Sequence, residues 1–85
     1  MNFFKRIDQH AALVGQMADT VGIDVGEAMA SGRLEPESLR GAVLRCMRCD
    51  SVEECSAWLY AHADATAESP PDYCRNRELL ERLAG

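Results

Sequence analysis

The spacing Cys46-x2-Cys49-x5-Cys55, with a fourth cysteine further along at Cys74, constrains this chain more than any other feature. Three of the cysteines fall within ten residues and the last belongs to a later segment, so a fold that unites them must bring the end of the chain back onto its middle. Soft, four-coordinate metal sites are built in this way, because one short turn cannot close a tetrahedron of sulfurs alone. The demand is acute in 85 residues, since a chain this short buries a modest fraction of its surface and draws little stability from its core. A structural metal contributes on the order of 10 kcal/mol, comparable to the net stability of an ordinary domain. The spacing therefore predicts one thiolate-bound centre, with Cys46, Cys49, Cys55 and Cys74 as its ligands.

The stretch Met1 to Arg6 carries basic residues but runs on into Asp8, Gln9 and His10. It reads as neither signal peptide nor membrane span. The expected compartment is therefore cytoplasmic and reducing, where cysteines serve as metal ligands or redox groups more often than as paired disulfides. A formal net charge of -5 opposes general attraction to phosphate backbones or anionic lipid, so neither a nucleic acid nor a membrane is an expected partner. Arg45, Arg48, Arg75 and Arg77 stand near the cysteines in sequence and are expected to offset thiolate charge.

Hydrophobic periodicity predicts an all-α chain, a compact single-domain bundle of about five short helices over residues 1–85. Phe3, Phe4, Ile7, Ala11, Val14, Met17, Ala18 and Val21 recur at helical steps and define the buried face of a first helix ending near Gly22. Asp24 with Glu27 forms a capping-box pattern that opens a second helix, stopped by Gly32. Pro36 suits the first position of a third, with Leu34 and Leu39 as its hydrophobic staple. Leu39, Ala42, Val43, Cys46 and Met47 then share one face, which carries Cys46 inward before the chain breaks direction near Cys49 and Asp50. Ser51 with Glu54 reads as a further capping box, opening a fourth helix with Cys55, Trp58, Leu59 and His62 on its inner face. Asp64 to Pro71 lacks periodicity and reads as a surface connection. Asn76 is expected to cap a last helix in which Leu79, Leu80 and Leu83 face the core.

In this arrangement Cys46 and Cys49 project to one side of a helix end. Cys55, in a first helical turn, and Cys74, just ahead of the last helix, lie near positive helix ends, which favours their thiolates. Converging negative sulfurs repel one another and lose solvation, so a cation or a cationic cluster is needed to hold them together. Zinc sites often use two short knuckles, whereas this chain has one x2 pair and then a five-residue gap. The run through Cys46, Cys49 and Cys55 resembles the cluster segments of WhiB-like regulators and of endonuclease III-class DNA glycosylases, which hold a [4Fe-4S] cluster on four cysteines. That resemblance implies an iron–sulfur cluster and covers these residues alone. In both families the fourth ligand lies upstream, while here Cys74 lies downstream. The glycine-rich turn and basic tail of the one and the catalytic residues of the other do not occur, so their DNA functions do not carry over.

Over nearly its full length the chain resembles a family of small bacterial proteins of unknown function. The pattern runs through Gly22-Ile23-Asp24, Leu39-Arg40, Arg45-Cys46, Cys49, Cys55, Trp58-Leu59 and Pro70-Pro71 to Asn76. Arg75 stands where such relatives are expected to carry a proline. The resemblance implies a shared fold and supplies no activity.

Other motifs have simpler readings. A thioredoxin-like pair needs its attacking cysteine at a helix N-terminus, and the Cys46/Cys49 pair ends a helix instead. Glu35/Glu37 and Glu53/Glu54 suit helix starts electrostatically, no nucleophile stands beside a base, and the chain is not expected to be an enzyme. His62 is a candidate substitute ligand, His10 an ordinary helix residue, and Trp58 a core anchor expected to shield the centre from water. The sequence thus predicts a small cytoplasmic metal-binding protein holding a [4Fe-4S] cluster, with a redox-sensing or regulatory role exerted through a protein partner. A structural zinc-binding interaction module and a metal-free helical interaction domain with buried thiols are the alternatives.

Overall fold

The computed structural model describes residues 3–84, so Met1, Asn2 and Gly85, and with them part of the reading of the N-terminal stretch, lie outside the described residues. Five helices follow one another: α1 (Phe3–Thr20), α2 (Val25–Ala30), α3 (Pro36–Met47), α4 (Val52–Ala61) and α5 (Arg77–Ala84). No strand occurs among the described residues, and none of the helices is long and apolar enough to cross a membrane.

Helix α1 is the mast of the fold, packing against α2, α3 and α4. Its buried stripe is Val14, Met17 and Ala18, continued by Val21 just past its end. The helix stops at Gly22, whose φ of +83° is costly for any residue with a side chain. The Ile23 N–H donates to the Ala18 carbonyl at 2.8 Å and the Gly22 N–H to that of Asp19 at 3.0 Å, the paired bonds of a Schellman ending. Gly32, also at φ +83°, ends α2 in the same manner through Arg33 to Ala28 at 2.9 Å and Gly32 to Met29 at 3.2 Å. Phe3 and Phe4 depart from the periodicity. They begin the apolar stripe of α1 but are 56% and 75% exposed, because the helix projects beyond the elements that cover its C-terminal half.

The Asp24 carboxylate accepts from the Glu27 N–H at 3.0 Å, capping the six-residue α2. Asp24→Ala is expected to cost about 1 kcal/mol, read as a lower urea midpoint at unchanged slope; an unmoved midpoint would show the cap to be idle. Pro36 opens α3, as its fixed φ favours. Ser51 does occupy the N-cap of α4, but its side chain makes no capping bond. The Ser51 N–H turns instead to the Cys49 Sγ, at 3.4 Å.

Two apolar clusters form the core. The larger joins Met17, Val21, Ile23, Leu34 and Leu59 to Leu80 and Leu83 of α5; the smaller packs Val14 against Ala42 and Val43 of α3. Helix α5 is held by those leucines and by side-chain bonds at its two ends. The Arg33 Nη1 donates to the Leu83 carbonyl at 3.0 Å, a cation placed against the negative end of a helix. The connection ahead of α5 is not wholly superficial: Pro70 is buried, and the Ala67 N–H donates to the Thr20 carbonyl at 2.9 Å.

Candidate metal centre

The end of α3 carries Cys46 in its last turn, and the Cys49 N–H donates to the Cys46 carbonyl at 3.1 Å as the helix closes. The chain then reverses into α4, where Cys55 is the fourth residue. Cys74 arrives from the far side of the sequence in a turn closed by its own N–H on the Pro71 carbonyl at 3.0 Å. These three segments bring Cys46, Cys49, Cys55 and Cys74 to one small cavity of about 30 Å³. Leu13, Val14 and Met17 of α1 and Leu80 of α5 supply apolar wall, and Tyr73, Arg75 and Asn76 complete the lining. All four cysteines are free thiols and partly buried. Among the described residues, no three His, Cys, Asp or Glu side chains are placed to hold a single metal ion.

Electrostatics binds the four into one unit. Burial, and after it the charges of Cys55, Cys49 and Cys74 in that order, together push the Cys46 thiol up to about 11. Burial followed by Cys74 and Cys49 raises Cys55. Burial also raises Cys74, against the lowering effect of a hydrogen bond from the Asn76 backbone, with Cys49 adding to the rise. Every pairing among the four sulfurs is therefore within electrostatic reach. Burial, and after it the charges of Cys55, Glu54, Cys49 and Cys74, raise Tyr73, which also lines the cavity.

These directions correct the expectation that helix ends would favour the thiolates of Cys55 and Cys74. Desolvation is the largest cause at both thiols, and at Cys55 the backbone N–H is committed to the Ser51 carbonyl at 2.8 Å. The four arginines near the cysteines in sequence have different surroundings. Arg77 is paired with Asp72 at 3.5 Å and Glu81 at 3.1 Å. The Arg45 Nε donates to the Asn76 Oδ1 at 2.8 Å, Arg48 caps α3 in solvent, and Arg75 alone of the four lines the cavity.

A pH dependence follows for the protein without metal. A thiol whose folded pKa is raised binds its proton more tightly when folded, so its contribution is intact below the unfolded value near 9 and is lost as pH rises toward about 11. Stability is expected to fall across that window, and to fall less in Cys46→Ala. Urea midpoints at about pH 8 and about pH 10.5 check it; equal slopes for the two proteins would contradict it.

Asn76 is the residue whose role the sequence concealed. It precedes α5 and was expected to cap it; the Leu80 N–H does bond its backbone carbonyl at 2.9 Å. Its side chain turns the other way, into α3. The Nδ2 donates to the Ala42 carbonyl at 2.9 Å while the Oδ1 accepts from Arg45, and the residue is 4% exposed. Asn76 thus ties the Cys74 turn to the helix that carries Cys46. Its place two residues beyond a candidate ligand was the available signal, but a polar residue ahead of an apolar periodic run reads first as a cap. His62 and Trp58 lie off the cavity. The His62 Nδ1 donates to the Trp58 carbonyl at 2.8 Å, and the rings stack with centroids 4.1 Å apart. Trp58 packs on the larger core cluster, so shielding of the thiols falls to the α1 and α5 side chains instead.

Fold and cavity together define a small all-helical protein built round a four-thiol chamber. The chain belongs to the DUF6455 family, a family of unknown function, whose model matches residues 1–85. No curated protein and no solved structure matches it.

Proposed function

We propose that this is a small cytoplasmic iron–sulfur protein in which Cys46, Cys49, Cys55 and Cys74 hold a [4Fe-4S] cluster, and that the state of the cluster regulates binding to a protein partner. The observation that carries this reading is the meeting of four thiols from three chain segments at one apolar-walled cavity. The donor set suits the group: the lining offers four soft sulfurs and no carboxylate or imidazole. Cys46, Cys49, Cys55 and Cys74 would be the four thiolate ligands that such a cluster takes.

When bound, such a cluster supplies reversible one-electron chemistry or a labile, oxidant-sensitive cross-link. The protein's own contribution is to exclude water with Leu13, Val14, Met17 and Leu80 and to donate backbone N–H groups to Cys49 and Cys74. Hydrogen bonds of this kind to ligating sulfur favour the more negative thiolate. Cys74 is the ligand furthest along the chain and sits directly ahead of α5, so gain or loss of the cluster bears first on the packing of that helix. A partner that reads the exposed surface of α5, or the core face it leaves, would sense the centre without touching it.

Protein purified without air is expected to be coloured, with broad visible absorption that fades on exposure to oxygen together with amide protection in α5. Colourless anaerobic protein with stoichiometric zinc would overturn the cluster and leave a structural zinc module. Colourless, metal-free protein that folds fully would leave an interaction domain with buried thiols.

A further inference from the structure

We propose that the cleft between α3 and α5 is a binding site for a small, multiply charged oxyanion of the phosphate or dicarboxylate class. The inference goes beyond the cluster and does not depend on it. The cleft encloses about 420 Å³ and is lined by Arg45, Arg75 and Arg82 together with Ser38, Glu37 and Glu78. That volume lies in the range of small-molecule sites, roughly 300–1,000 Å³. The chain as a whole is acidic, with nine Lys and Arg against fourteen Asp and Glu, yet a third of its basic side chains gather here.

The arginines are available. Arg33 and Arg77 are spent on intramolecular ion pairs, whereas among the described residues Arg75 and Arg82 make no ion pair or hydrogen bond. Arg45 is oriented in advance: its Nε is held by the Oδ1 of buried Asn76 at 2.8 Å, which leaves the Nη groups for a ligand. A guanidinium fork fixed in this way matches phosphate or carboxylate oxygens at little further entropic cost. Gly41 of α3 lines the cleft beside Arg45, and a Cβ there would stand at ordinary van der Waals distance, 3.6 Å, from the Arg45 Nη1, so only a larger side chain fills the space. Glu37 and Glu78 oppose anions in general, so the net positive lining favours a ligand whose charge is concentrated enough to engage several arginines at once. The Ser38 hydroxyl supplies one further donor or acceptor.

The test is a titration of the full chain, followed by amide NMR, with inorganic phosphate and separately with succinate, at constant ionic strength set by chloride. Saturable shifts confined to 37–45 and 75–82 are expected for one of the two anions, and which one saturates assigns the class. Arg75→Gln and Arg82→Gln should each weaken binding by about tenfold, and Glu78→Gln should tighten it. Arg6→Gln, outside the cleft, should change nothing, and Gly41→Leu should block the site with no change of charge. Should Gly41→Leu fail to fold, the Arg82 variant decides, since among the described residues that side chain makes no ion pair and it lines the cleft but not the thiol cavity. Shifts that never saturate above chloride, or that Arg6→Gln reduces as much as Arg82→Gln does, would overturn the proposal.

Discussion

Replacing Cys46 and Cys74 together by serine, in protein handled without air, is expected to abolish the visible absorption and to release α5. Serine keeps the shape and loses the soft donor, so the cavity retains its packing while the cross-link between the α3 end and the Cys74 turn disappears. The two residues stand at opposite extremes of the four-thiol set in sequence, so no neighbouring ligand compensates. Metal binding of this kind is worth on the order of 10 kcal/mol at neutral pH. Even after partial compensation by the core, a loss of at least about 3 kcal/mol is expected, or a melting temperature lower by roughly 12 °C or more for a domain of this size. Hydrogen exchange should place the damage. Amides of α5 and the Cys74 turn would lose protection, while α1 and α3, joined through Val14, Ala42 and Val43, keep theirs. A double variant with unchanged melting temperature would show that the thiols only pack.

Asn76→Ala is expected to be the most damaging substitution at a residue that is not a candidate ligand. It removes the donor to the Ala42 carbonyl and the acceptor for Arg45 at a position 4% exposed. A buried carbonyl is left unsatisfied and a small cavity opens, at a cost of about 2–4 kcal/mol. The backbone N–H of Asn76 that serves Cys74 remains, so a loss of stability without a shift in the cluster spectrum would assign the side chain to the fold. A change in both would place it in support of the ligand. Asn76→Asp discriminates further: it keeps an acceptor for Arg45 but turns an oxygen onto the Ala42 carbonyl, and should recover little. Denaturation midpoints within about 0.5 kcal/mol of the parent for Asn76→Ala would remove the bridge from the account.

Helices and their ends were largely legible before the structure. Periodicity located the stripe through Val14, Met17 and Ala18, and the stops at Gly22 and Gly32 follow from a backbone conformation that favours glycine. Cys46, Cys49, Cys55 and Cys74 line one cavity, so their spacing conveyed proximity and not use. What escaped depends on tertiary neighbours. Phe3 and Phe4 match the helical period yet remain 56% and 75% exposed, and Ser51 fits the pattern of a cap while its backbone bonds the Cys49 sulfur instead. Asn76 has one local reading, as a cap, and a different tertiary one, as a bridge between α5 and α3. The arginines near the cysteines in sequence point largely elsewhere in space, toward carboxylates, Asn76 and the α3/α5 cleft. Proximity along a chain does not determine which face of a helix turn a long side chain takes.

The central claim is that four sulfurs hold an inorganic cluster, and elemental analysis addresses it most directly. Iron and acid-labile sulfide should be measured per chain in protein expressed and purified under strict exclusion of air. The account predicts about four of each per chain, falling toward zero in the Cys46→Ser/Cys74→Ser variant. One zinc per chain with no sulfide, or no metal at all in fully folded protein, would contradict it.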